Sequence, residues 1–428
     1  MKKKLIRLYT FYKQYINWKK LLKQVSVAPA LNTKTACLAI IPCDPFSVGG
    51  SRGDEAMIMG VIQYYRKINP SIPIYVVCHD DAGEHYIKRL NLANIHAVVS
   101  WNGLYPLNRV YSSVIQVSPT DVVILGADCM DGFYSPDLSQ NLLALHDLFS
   151  HTKGIKSRLL GFSFNEKPSW LMIRAFKTLS SDVSIRLRDS VSYNRYTQIT
   201  GKPAQLLADA AFLLQPDSRF PLYDEIKTWI DCRKSEGQIV VGFNFHPMLR
   251  KYNGVDDIKG DALILAKNVE QILSVNSKVS FVFISHDDRS SLTDNLMLST
   301  MYEYLYSKIS SESLNLKIFY STLVPRASQL KAIVGLLDGL VSSRMHLAIA
   351  ALGMNVPVMA ATYQGKFEGL FKHFDLDNTF LLAPAKFISA DMPQVFNHFI
   401  TQLPQLRQQI SNQLPNVINL SQQNLSDE

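Results

Sequence analysis

The chain has 428 residues and a mass of 48.3 kDa, with 47% hydrophobic and 19% charged residues, a globular composition long enough for two domains of roughly 150–200 residues. No apolar run approaches the roughly 20 residues of a membrane-spanning helix, and five cysteines (Cys37, Cys43, Cys78, Cys129, Cys232) without a CxxC pair argue against a disulfide scaffold or zinc ribbon, so reduced thiols and a cytoplasmic setting are expected. The formal net charge of +8 is local: residues 1–24 hold Lys2, Lys3, Lys4, Arg7, Lys13, Lys19, Lys20 and Lys23 and no acid, and these eight are the whole difference between 44 basic and 36 acidic residues, so no nucleic-acid face is expected.

Residues 1–34 read as a basic amphipathic arm, its charges interleaved with Leu5, Ile6, Leu8, Tyr9, Phe11, Tyr12, Tyr15, Ile16, Trp18, Leu21 and Leu22. Arg7 and Lys13 break the apolar stretch, which argues against a cleaved signal. Two readings stay open. Residues 1–24 lie on an anionic membrane surface, making the protein peripheral on the inner face, or they form a helix packed on the protein with its basic side in water.

Residues 35–214 alternate short apolar strands (35–43, 73–78, 95–99, 121–126) with helical stretches (55–68, 138–150, 168–180). A Gly-rich loop at 49–55 follows the first strand. Residues 215–238 carry two prolines and a polar cluster and read as a linker. A second alternating series fills 239–390, and 391–428 read as a helical tail that frays. The fold class expected is α/β, two doubly wound domains facing a cleft, with chemistry at the carboxyl ends of the strands.

The most informative stretch is 336–369. A strand at 339–342 ends in Ser343-Arg344-Met345-His346, where a helix begins. A helix N-terminus favours an anion, an Arg can fork onto an oxyanion, and a His can move a proton near neutral pH. Tyr363 and Lys366 stand at the next strand exit. The alternative for Arg344 and His346 is a cap and a core histidine. A second site-like segment, Arg186-Leu187-Arg188-Asp189-Ser190, also ends a strand. Asp189 or Ser190 would cap the next helix and Arg188 would point towards an anion, unless it forms a surface salt bridge. Asp209 reads as a cap or a site residue. His79-Asp80-Asp81 and His286-Asp287-Asp288 echo each other at strand exits, as polar loop starts or as metal ligands.

These residues resemble the polysaccharide pyruvyl transferases. The resemblance covers roughly residues 38–375 and rests on Gly53-Asp54-Glu55-Ala56, on RDSVSY followed by LLADAAFLL, and on SSRMH through GMNVPV to YQGK. It implies a GT-B-like pair of Rossmann-type domains and transfer of a pyruvyl group from phosphoenolpyruvate to a saccharide or lipid-linked oligosaccharide, usually as a ketal, without a cofactor or metal. It further implies Arg344 and Arg188 as the phosphoenolpyruvate-binding arginines, His346 as the catalytic histidine and Lys366 as a further basic site residue. The site expected from the sequence takes His346 and Arg344 as catalytic, and Arg188, Lys366, Met345, Ser343, Gly53, Asp54, Glu55 and His286 as substrate-binding. The sequence departs from the family at Met345, Ser51 and Gly126-Ala127-Asp128. The rival is a GT-B glycosyltransferase using a nucleotide sugar, which needs an acid near the donor. Residues 339–353 contain none. A non-catalytic, membrane-tethered binding protein is a third reading.

Overall fold

The computed structural model describes residues 2–31, 35–49, 51–103, 106–247, 257–287, 293–362 and 365–426. The chain divides into two compact units. The first comprises Met1–Gly49, Met57–Leu213 and Ile418–Glu428, and the second Gly50–Ala56 and Leu214–Val417.

The first unit is built on β1 (Leu38–Ile41), β2 (Ile74–Cys78), β3 (Ile95–Val99), β4 (Asp121–Ile124) and β5 (Lys156–Leu159), all parallel, in the order β3-β2-β1-β4-β5. β1 is buried along its whole length, as its unbroken apolar run requires of a central parallel strand. Two short strands, β6 (Arg186–Leu187) and β7 (Gln205–Leu206), pair separately.

The second unit carries β8 (Ile239–Phe243), β9 (Val279–Phe283), β10 (Ile318–Tyr320), β11 (Gly339–Ser342), β12 (Val358–Ala361) and β13 (Leu381–Leu382), parallel, in the order β10-β9-β8-β11-β12-β13. Written from its own first strand this is the 3-2-1-4-5-6 order of a Rossmann sheet, which reverses direction between β8 and β11.

The N-terminal arm is the helix Lys2–Val27. Its inner side buries Phe11, Trp18 and Val25 in the first unit's core. The Trp18 indole donates to Asp147 Oδ2 at 2.9 Å, and Lys19 pairs with the same carboxylate at 3.6 Å, on the helix Pro136–Ser150. The packed-helix reading therefore holds for this inner side.

Three expectations are corrected. Residues 215–238 are not a plain linker, because they hold the helix Pro221–Ser235. Pro221 occupies its first turn, where a missing N–H costs nothing, and Ile226 and Ile230 are buried. The tail does not fray after residue 400. The helix runs Met392–Gln422, and Asn424 beyond it is fully buried, accepting from Gly161 N and donating to Ala208 O, both at 2.8 Å. Finally, Gly53, Asp54 and Glu55 belong to the helix Arg52–Ile68 rather than to a loop.

Candidate functional site

β11 lies beside β8, with Val341 opposite Phe243, so residues leaving these two strands emerge where the sheet order reverses. From β8 come Asn244 and His246, and from β11 come Ser342 to His346. Ser342 Oγ accepts the Arg344 backbone N–H at 3.0 Å, and Ser343 Oγ accepts that of His246. Arg344 is the extended N-cap of the helix Met345–Leu352, and its side chain does not cap.

That side chain is committed elsewhere. Its Nη2 lies 2.5 Å from Asp294 Oδ1, its Nε 3.2 Å from the same oxygen, and its Nη1 3.1 Å from Asp287 Oδ2. Asp294 is fully buried, at the start of the helix Asp294–Lys308, and its Oδ2 also accepts from Asn244 Nδ2 at 2.8 Å and from the His286 N–H at 3.1 Å. Charge-assisted bonds of this kind fix the guanidinium plane. Three of its five N–H donors are engaged, which leaves one on each terminal nitrogen. The side chain remains 12% exposed.

Two further groups come from the Gly50–Ala56 segment. Ser51 makes an antiparallel bridge with Asp287. Arg52 donates from Nε to Pro325 O at 2.8 Å and pairs with Glu55 at 3.3 Å. Gly53 backs the His346 ring so closely that a Cβ there would lie 2.3 Å from Nδ1, so a larger residue forces the ring or the helix to shift. Asp54 and Glu55 are the acids of this helix's first turn. They take the anion-attracting position that a phosphate-cradling loop would leave open.

His286, at the exit of β9, is buried. Burial, then the nearby Arg344 and His346, hold its pKa well below the ordinary value, so the imidazole is neutral near pH 7. Met345 and His346 are half-buried and Ser343 is buried. Lys366 is buried at the first position of the helix Lys366–Lys372, after β12, the neighbour of β11. Tyr363 and Asp288 lie outside the described residues. Among the described residues no group of three or more His, Cys, Asp or Glu is arranged to hold a metal ion.

In the first unit Arg188 does not form a surface salt bridge. It is sealed, its side chain 2% exposed, with Nη1 2.7 Å from Asp209 Oδ2 and Nε donating to Ser163 Oγ at 2.8 Å. Burial works against its charge, but Asp209, then Asp128 and Asp189, more than offset it and raise its pKa. Asp189 caps the helix Ser190–Thr200, its Oδ1 accepting the Ser192 N–H at 2.7 Å. Asp209 does two jobs, since it also accepts the Ala211 N–H at 2.8 Å. His79-Asp80-Asp81 is a polar loop start: Asp80 caps the helix Asp81–Arg89.

Asn244, His246, Arg52 and Asp294 were not singled out in the sequence. Asp294 carries no local signal beyond a helix-start acid, and it reaches Arg344 across 50 positions. The absence of acids from 339–353 is thus made good by Asp287 and Asp294. Both oxygens of Asp294 and one of Asp287 are engaged in holding Arg344 and its neighbours.

A sequence model described as polysaccharide pyruvyl transferase matches residues 52–365. No significant relative is found among curated proteins. Solved structures give many matches. One, described as a UDP-N-acetylglucosamine 2-epimerase from Listeria monocytogenes, has a TM-score of 0.53 at 12% identity, covering 88% of this chain and 91% of its own. The N-terminal domain of Candida albicans trehalose-6-phosphate phosphatase gives 0.53 at 11% identity, covering 92% and 97%. Another UDP-N-acetylglucosamine 2-epimerase gives 0.55 at 9% identity, covering 92% and 95%. At such identities the likeness concerns the fold alone, which is GT-B-type.

Proposed function

Because the chain belongs to the polysaccharide pyruvyl transferase family, we propose that it moves a pyruvyl group from phosphoenolpyruvate to a sugar of a cell-surface polysaccharide or its lipid-linked precursor, closing a pyruvate ketal across two hydroxyls. The observation that carries this reading is the Arg344–His346 exit of β11, where a locked guanidinium, a helix N-terminus and an imidazole stand together.

Phosphoenolpyruvate carries a phosphate and a carboxylate. The two remaining N–H groups of Arg344, at the start of the helix Met345–Leu352, suit one of these anions. Arg188, in the first unit, is the second arginine that the resemblance implies. His346 gives a proton to C3 of the donor, leaving C2 electron-poor, and a sugar hydroxyl adds there. Phosphate then leaves and the second hydroxyl closes the ring. Of the two hydroxyl protons, one ends on the new methyl group and one on the departing phosphate. His286, held neutral, adds no second positive charge beside His346.

The test is phosphate release from phosphoenolpyruvate with a panel of lipid-linked oligosaccharides, the product read by mass spectrometry and its ketal carbon by NMR. Arg344→Ala should abolish measurable donor binding in calorimetry, and Arg344→Lys should not rescue it, because the fork that meets Asp287 and Asp294 is lost. His346→Gln should lower turnover about 10²–10⁴-fold while sparing donor binding. Turnover with a nucleotide sugar and none with phosphoenolpyruvate would move the chain to the rival activity.

A further inference from the structure

We propose that the outward face of the N-terminal helix is a docking surface for an anionic lipid bilayer, used while the helix stays packed on the first unit. This inference does not depend on the reaction proposed above.

The helix Lys2–Val27 has two sides with different occupants. Phe11, Gln14, Trp18 and Val25 point inward and are buried, and Trp18 is tied to Asp147. Opposite them, Tyr9, Tyr12, Lys13, Ile16, Lys20, Lys23 and Val27 are all exposed. At 100° per residue these seven positions fall within an arc of about 100°. Tyr9 is 58%, Tyr12 63% and Ile16 50% exposed, which is unusual for three large side chains on one face. The Lys13 ammonium sits 4.6 Å from the centre of the Tyr9 ring.

Charge selects the occupant. The first acidic residue in the chain is Asp44, so the helix is uniformly basic, whereas the rest of the chain is formally neutral. A second copy of the same helix would be repelled. A soluble polyanion would engage the lysines but has no use for Tyr9, Tyr12 and Ile16. A bilayer with anionic headgroups takes both: lysines reach the phosphates while phenol rings and an isoleucine enter the headgroup boundary. No helix among the described residues is long and apolar enough to cross a membrane, so the contact is with its surface.

The packing also decides how to test it. Deleting the arm would uncover the core around Trp18, so a truncation confuses folding with docking. Outward substitutions avoid this. The full chain is co-sedimented with phosphatidylcholine vesicles with and without phosphatidylglycerol, at low and high salt, and its binding to heparin is measured in parallel. Thermal unfolding checks that each variant is intact. The wild type should pellet only with the anionic vesicles, and less at high salt. Each lysine near such a surface is worth roughly a fivefold change in partition, so Lys13→Gln/Lys20→Gln/Lys23→Gln should weaken binding on the order of 100-fold. Tyr12→Ser/Ile16→Ser should weaken vesicle binding and leave heparin binding unchanged. The proposal is overturned if the wild type ignores anionic vesicles, or if the lysine variant binds them as the wild type does. A Tyr12/Ile16 variant that keeps full vesicle binding also overturns it, since the face then reads only a polyanion.

Discussion

Arg188 in the first unit and Arg344 in the second each follow a short parallel strand, and each is gripped by a buried aspartate, yet they are left with different freedoms. Arg188 is closed in by Asp209, Ser163 and the backbone at Gly161, where an added Cβ would stand 3.2 Å from the Arg188 nitrogen. Arg344 keeps part of its surface, starts a helix and has His346 two residues on. The same residue type is thus a sealed anchor after β6 of the separate two-stranded sheet and an open, oriented fork after β11 of the second unit's six-stranded sheet. What separates them is whether any donor remains exposed after the carboxylates are satisfied, since an ion pair that is wholly enclosed chiefly fixes geometry.

The strongest way to break this comparison is to treat both members of the Arg188 pair as structure. Arg188→Leu leaves Asp209 buried and uncompensated and should cost about 3–5 kcal/mol in chemical denaturation. Adding Asp209→Leu should return most of that stability, because two apolar groups of similar volume replace the pair. Stability that stays low in the double variant contradicts the sealed-anchor description. Donor affinity of the refolded double variant then sharpens the contrast: full affinity leaves Arg188 an anchor only, while lost affinity leaves it the donor contact that the family resemblance implies.

Much of the architecture is legible in the sequence because parallel strands are buried on both faces and announce themselves as short apolar runs. Strands β2, β3, β9 and β11 stand where their runs place them. The exit Ser343–His346 is legible for a related reason: strand, polar tetrad and apolar helix follow without a gap. What is not legible is long-range. Nothing near Asp294 says that it will hold an arginine 50 residues on, and nothing near Gly53 says that an imidazole will lie on it. Composition misleads at 215–238, where Pro221 looks like a linker residue and is a helix start. The His-Asp-Asp echo is real as sequence but splits in use. Asp80 caps a helix, whereas Asp287 pairs with Arg344 and bridges to Ser51.

A smaller effect is expected where Gly53 meets His346. Gly53→Ala puts a methyl group 2.3 Å from Nδ1, and the helix backbone that carries it has little room to yield. Overpacking of this kind costs about 1–3 kcal/mol. It should appear partly as lost stability and partly as lower turnover, since the ring is pushed from its place while Arg344 and its aspartates are untouched. Turnover and stability both equal to wild type would mean that the His346 ring is not fixed by this contact.

The gentlest probe is pH, and it reads the buried His-Asp-Asp exit of the second unit. His79 is partly exposed and its ring packs on Phe46, 4.6 Å between centroids, whereas His286 is buried and kept neutral by burial and by the positive groups around it. In the unfolded chain the His286 imidazole takes up a proton near pH 6.5. For His286 the folded state resists that proton, so between the unfolded value and its depressed folded value the unfolded chain binds more protons. Stability attributable to His286 is therefore fully present above about pH 6.5 and falls as the pH drops below it, with a limiting slope of about 1.4 kcal/mol per pH unit. Thermal unfolding from pH 7.5 down to pH 5 should show this fall in the wild type. It should be flatter in His286→Gln. Equal slopes in wild type and His286→Gln would show that the buried imidazole does not govern the second unit's acid sensitivity, and the contrast between the two strand exits would then rest on the arginines alone.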